Sequence, residues 1–219
     1  MTTTPARPQP TFLQRTHGFL RRVPTWSVYL ALMLPAVSTV VMAFTGGLGA
    51  DPTRKLEHTL GIWALRILLA GLAVTPLREL TGLSLVRFRR VIGLAGFTYV
   101  TLHLLVYAVL DVELDWATMV QDIFKRPYIT IGMLAFVLLI PLAVTSTNAM
   151  IRRMGPKAWN RLHKLIYAIV ILGALHFLLL KKTIQVETLT YLGIAIVLVA
   201  YRLLPKRRPK PAVARVASP

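Results

Sequence analysis

Three of the five histidines sit in or at the edges of long apolar runs: His103 in TLHLL, His163 in RLHKL and His176 in ALHFL. Ionisable side chains inside a membrane-spanning segment are costly, and those that occur are commonly functional. A helix rises about 1.5 Å per residue, which places His103 roughly 20 Å past Arg90 and His176 roughly 22 Å past Arg161. Both runs point the same way. Neutral imidazole binds iron strongly and needs no thiolate partner. Two imidazoles at matched depth on separate helices therefore suit the axial pair of a haem iron. The competing reading is a pair of hydrogen-bonded core histidines that merely join helices. Gly173, one turn before His176, and Gly96, two turns before His103, would let a flat ring approach both backbones. His58 lies at the mouth of another apolar run, and His17 falls in an N-terminal stretch expected to be unstructured.

A second iron would need ligands nearer the opposite edge, where His163 lies. Arg89 precedes His103 by 14 residues, about 40° off the same helical face and about 21 Å lower. A lower haem would need a partner or a propionate contact there. His163 and His176 are 13 residues apart, about 140° off one face, so their helix must tilt or start irregularly to serve two sites. For Arg89 and Arg90 the alternative is an ordinary positive-inside anchor. Arg66, inside the second apolar run, needs a partner; a haem propionate or Glu57 would serve, with snorkelling as the alternative. Trp26, Trp116 and Trp159 fall at run ends and read as interfacial anchors.

Six apolar runs carry these residues: Ser27–Phe44, Leu60–Leu77, Val91–Leu110, Tyr128–Thr147, Leu162–Leu180 and Leu189–Leu204. About 20 apolar residues in a helix cross the ~30 Å hydrocarbon layer. None of the runs alternates with period two, so helices rather than barrel strands are expected. The fold class is an all-α integral membrane protein, six transmembrane helices in one bundle with short connections. Of 219 residues 55% are hydrophobic and 16% charged, and the mean hydropathy is +0.62. The net charge is +18, from 26 Lys and Arg against 8 Asp and Glu. On a soluble domain that excess would suggest nucleic acid; here it punctuates apolar runs and sets orientation.

Nineteen of the basic residues fall on one side, among them Arg7, Arg15, Arg87, Arg89, Arg161, Lys206, Arg207, Arg208, Lys210 and Arg215. The other side holds six: Arg54, Lys55, Lys125, Arg126, Lys181 and Lys182. Both termini are therefore expected in the cytoplasm. The chain divides into an N-terminal cytoplasmic tail (1–26), the membrane domain (27–205) and a basic cytoplasmic tail (206–219). With no cysteine, thiolate metal sites, iron–sulfur clusters and cysteine nucleophiles are excluded. No dinucleotide fingerprint or phosphate loop is present. Few carboxylates lie in the runs, which leaves a proton pump or cation-coupled transporter little to work with.

The stretches GGLGADP (46–52), RFRRVIGLAGFTYVTLHLLVY (87–107), RPYITIG (126–132) and LAVTSTNAM with WNRLHKLIY (142–167) resemble the MsrQ family, formerly YedZ. These are the haem-binding membrane subunits of the periplasmic methionine sulfoxide reductase system, within the ferric-reductase-like transmembrane group. The resemblance spans nearly all of 27–205. It implies a multi-pass protein of the bacterial inner membrane carrying one or two b haems, with FMN associated with the family. It implies electron transfer from a quinol or a cytosolic flavin reductase to a periplasmic, molybdopterin-containing catalytic subunit, so that the chain is the redox subunit rather than the catalytic one. Carried over by motif, His103, His163 and His176 match the family's haem histidines, and Arg89 matches a ligand or contact of the inner haem. Ferric reductases commonly pair histidines on both helices, whereas this chain has one on its third run. The alternatives are direct reduction of ferric chelates at the outer face, or a haem-free transporter or scaffold.

Overall fold

The computed structural model describes residues 12–181, 183 and 185–204. The basic residues Arg7, Lys182, Lys206, Arg207, Arg208, Lys210 and Arg215, and the tail assigned to 206–219, lie outside the described residues. Among those described, every regular element is helical. Six helices are long and apolar enough to cross a membrane: Thr25–Phe44, Pro52–Thr81, Val86–Asp111, Pro127–Val144, Asn148–Leu180 and Val186–Leu203. The expected six-helix membrane bundle is therefore the observed fold, and the protein is a multi-pass membrane protein.

In chain order the helices are α1 (Phe12–Arg22), α2 (Thr25–Phe44), α3 (Pro52–Thr81), α4 (Arg89–Val106), α5 (Trp116–Lys125), α6 (Pro127–Val144), α7 (Asn148–Leu162), α8 (Ile166–Leu180) and α9 (Val186–Leu203). A π turn, Tyr107–Asp111, extends α4. The hub is α3: 56% of its most apolar window is buried inside the protein, against 11% for α2 and α9. The outer helices thus turn most of their apolar surface to lipid, as a bundle in hydrocarbon requires. One core cluster joins Leu65, Leu68, Leu69 and Leu72 of α3 to Leu139, Ile169, Val170, Ala174 and Phe177. A second joins Leu60, Ala64 and Ile67 to Ala36, Ala95 and Tyr99.

Tyr99 shows how polar groups are satisfied inside this bundle. Its ring is fully buried. Its hydroxyl donates to the Leu32 carbonyl at 2.8 Å and accepts from the Ala36 amide at 2.9 Å. Those two groups are an i→i+4 pair of α2, so the hydroxyl stands in their ladder beside Pro35, which has no N–H to give. Thr39 and Ser38 donate to the Pro35 carbonyl. Lipid offers no water to do this work, so side chains do it.

Several expectations change. The N-terminal stretch is helical from Phe12, and His17 is ordered: its Nε2 accepts from the Ser84 amide at 3.1 Å. Arg87 also holds α1, donating to the Leu20 carbonyl at 2.6 Å. Gly96 does not face a cofactor-sized space. It packs on α3, where a Cβ would sit 2.5 Å from Leu68 Cδ2, so it sets the closeness of α3 and α4. Arg66 does not pair with Glu57, and it does not line the cavity between the helices. It is exposed on the outside of the bundle, donates to Tyr191 Oη at 2.6 Å and lies over the Trp63 ring. The first part of the Asn148–Leu180 segment is α7, interrupted at Gly155 (φ 76°) ahead of Pro156. The left-handed value there suits glycine alone.

Candidate functional site

At one end of the bundle, α3, α4, α6 and α8 enclose a cavity of about 790 Å³, within the ~300–1,000 Å³ of small-molecule and cofactor sites. Its apolar wall includes Leu65, Leu68, Val100, Phe136, Leu139 and Phe177, with Gly173 on the α8 side. His58, His103 and His176 project into it, and Asp51, Arg54, Lys55, Asp111, Arg126 and Lys181 line it toward its mouth. Matched depth on separate helices places the rings of His103 and His176 together: their centroids are 6.1 Å apart, with planes at 77°.

Each of these imidazoles is tied by its Nδ1 to a backbone carbonyl. His103 Nδ1 lies 2.8 Å from the Glu57 oxygen on α3. His176 Nδ1 lies 2.7 Å from the Tyr128 oxygen on α6. A carbonyl only accepts, so Nδ1 carries the proton in both rings and Nε2 keeps its lone pair. Neither Nε2 has a hydrogen-bond partner among the described residues. Imidazole nitrogen binds a first-row metal at about 2.0–2.1 Å, so two rings opposed across one ion have centroids roughly 6.4 Å apart. The observed 6.1 Å fits that spacing, and the apolar wall fits a flat macrocycle. The residues present therefore suit a haem held between His103 and His176.

His58 was placed by sequence at the mouth of its run and is found there. Its ring rests 5.6 Å from that of Phe177, beside the residue that follows His176. Above the cavity a polar network bridges the ends of α4, α5 and α6. Asp122, buried, accepts from Tyr107 Oη at 3.0 Å and pairs with Arg126 Nε at 3.0 Å. Arg126 Nη1 reaches Tyr128 Oη at 3.3 Å. None of these partners carries a signature that sequence reasoning detects. Glu57 and Tyr128 act through backbone oxygens, and Asp122 sits in a connection between runs.

The other two candidates are elsewhere. His163 lies in a 3₁₀ turn, His163–Leu165, that starts α8 irregularly. Its ring stacks on Trp159 at 3.7 Å. Its Nδ1 donates to the Trp159 carbonyl at 3.0 Å, and its Nε2 lies 3.5 Å from Ser146 Oγ. Trp159 is half-buried, and its Nε1 donates to the Thr145 carbonyl at 2.9 Å. Arg89 donates to Thr75 Oγ1. The Nε atoms of Arg89 and Arg202 are buried without partners, and Arg202 Nη2 donates to the Leu72 carbonyl at 3.0 Å. His163 and Arg89 share no hydrogen bond or ring contact.

Residues 60–174 match the family described as ferric reductase like transmembrane component. Over 191 residues the chain is 46% identical to the protein-methionine-sulfoxide reductase heme-binding subunit MsrQ of Brucella anthropi, covering 87% of this chain and 86% of that one. The same-named protein of Agrobacterium fabrum is 48% identical over 179 residues, 82% and 83% of the two chains. That of Rhizobium meliloti is 47% identical over 201 residues, 92% and 91%. No solved structure matches the chain at a significant level.

Proposed function

The chain belongs to the MsrQ family of ferric-reductase-like transmembrane proteins, and from that premise we propose that it is a haem-binding electron-transfer subunit serving a periplasmic methionine sulfoxide reductase. The observation that carries this reading is the facing pair His103 and His176, each with Nδ1 tied to a carbonyl and Nε2 directed into an apolar cavity. Haem iron, when bound there, supplies one-electron chemistry in a low-dielectric setting. The chain's own residues supply ligands, orientation and exclusion of water. His103 and His176 would hold the haem from two helices, Gly173 and the leucines would shield it from water, and Arg54, Lys55, Arg126 and Lys181 would offer charge to its carboxylates.

The remaining parts of the proposal follow from the family and the charge pattern. Both termini lie in the cytoplasm of a bacterial inner-membrane protein, so the cavity opens toward the periplasm. Electrons enter from a quinol or a cytosolic flavin reductase, with FMN as the family's second cofactor, and leave to a molybdopterin-containing catalytic subunit. An inner haem would draw on His163 and Arg89. The partnerless Nε atoms of Arg89 and Arg202 suit an anionic group such as a propionate. Purified protein, reduced with dithionite, should show a sharpened α-band and lose it on adding the oxidised catalytic subunit with methionine sulfoxide. A reduced protein that ferric citrate oxidises and that subunit does not would redirect the reading to ferric-chelate reduction.

A further inference from the structure

The two carbonyls that accept from the imidazoles share a spacing. Glu57 is followed four residues later by Gly61, and Tyr128 four residues later by Gly132. In a helix the residue at i+4 stands one turn above the carbonyl of residue i and on the same face. Its side chain would cover the approach to that oxygen. At both places the covering residue has no side chain, and the imidazole edge occupies the space. A Cβ at Gly61 would lie 3.2 Å from Nδ1 and Cε1 of His103; a Cβ at Gly132 would lie 2.7 Å from Nδ1 of His176. The same device thus occurs twice, on different helices, once for each member of the pair. Other glycines in the spans lack it: at Gly93 and Gly193 a Cβ would meet nothing within 4 Å.

We propose that Gly61 and Gly132 are positioning residues of the haem pair, each opening its helix so that an imidazole Nδ1–H can reach the carbonyl one turn earlier. The inference rests on the reading of His103 and His176 as axial ligands. The carbonyl bond fixes the tautomer that leaves Nε2 free for iron. It also fixes the ring's rotation, so the two glycines together hold the planes at 77°. A histidine ligand that donates its second N–H is the more basic for it and favours ferric over ferrous iron. Pushing the ring off the carbonyl should therefore raise the reduction potential and weaken haem retention, on the scale of 10–100-fold in affinity for a lost outer-shell bond.

The test compares full-length Gly61→Ala and Gly132→Ala with Gly93→Ala and Gly193→Ala as controls, in detergent. Three readouts are taken: haem per monodisperse protein, the ferric low-spin electron paramagnetic resonance signal and the midpoint potential. The expected result is an altered signal and a raised potential in both site variants, larger for Gly132→Ala because its clash is closer, with the controls unchanged. Haem loss from monodisperse Gly132→Ala also supports the inference. Should that variant not be recovered, Gly61→Ala, with its milder contact, carries the test. Site variants that match the controls in all three readouts overturn it. His103→Ala and His176→Ala run alongside: if those retain full haem and an unchanged signal, the ligand assignment fails, which a result at the glycines alone cannot mimic.

Discussion

Replacing Tyr99 by Phe removes one oxygen and tests how the bundle holds α4, the helix that carries His103 one turn further on. In the native protein that oxygen serves two backbone groups of α2, the Leu32 carbonyl and the Ala36 amide. Both lie where lipid, not water, surrounds the helix. If α2 keeps its shape in the variant, each group is left unsatisfied at about 1–3 kcal/mol, or about 2–6 kcal/mol together. If α2 instead closes the Leu32–Ala36 bond, only the interhelical hydrogen bond is lost, about 0.6–2 kcal/mol. Pro35 decides between these limits, because its ring resists the tightening of that turn. Tyr99→Phe should therefore cost about 2 kcal/mol or more, and Pro35→Ala in the same chain should recover part of it. The assay is reversible unfolding in mixed micelles for the two single variants and the double. A loss below about 0.5 kcal/mol in Tyr99→Phe, or full additivity with Pro35→Ala, would show that the Tyr99 hydroxyl does not serve the α2 ladder.

Asp122→Ala strands the buried Tyr107 hydroxyl, at about 1.5–3 kcal/mol, while its half-exposed partner Arg126 adds little; Tyr107→Phe should cost less, since Asp122 keeps Arg126, and equal unfolding energies would contradict the network. Gly96→Ala forces a methyl against Leu68, at about 1–3 kcal/mol, and should loosen haem retention as α4 moves off α3, which the Soret absorbance at rising temperature measures. Asp115 caps α5, its carboxylate accepting from the Thr118 hydroxyl and from the amides of Thr118 and Ala117. The Thr118 bonds, foremost, hold its carboxyl below the usual carboxylate range. The stabilisation is thus complete above the unfolded Asp value of about 3.9 and is lost as pH falls through the lower folded value. Proteolysis or Trp116 fluorescence should report α5 fraying on acidification, and an Asp115→Ala protein should already be frayed at neutral pH.

The six spans were legible because a helix in lipid needs an unbroken apolar run and this chain has six. The depths that pair His103 with His176 need only the helical rise and the arginine just before each run, Arg90 and Arg161. What stayed hidden obeys other rules. The helices α1 and α5 are short and amphipathic, so hydropathy passes over them, and His17 looked unstructured for that reason. Gly96 was assigned to the wrong neighbour because spacing along α4 does not say which helix lies against a given face. Arg66 looked buried by its place in an apolar run, yet its face of α3 points outward, where Tyr191 and Trp63 receive it. The carbonyls of Glu57 and Tyr128 are backbone atoms, which every residue has, and only the folded approach of the imidazoles singles them out.

Whether His103 and His176 hold one haem between them decides the proposed function. The direct measurement is the reduced-minus-oxidised spectrum and haem content of the wild-type chain beside His103→Ala, His176→Ala and His163→Ala. The wild type should show a haem spectrum, His103→Ala and His176→Ala should both lose the same spectral component, and His163→Ala should retain it. Full haem content with unchanged spectra in either of the first two variants would contradict that pairing.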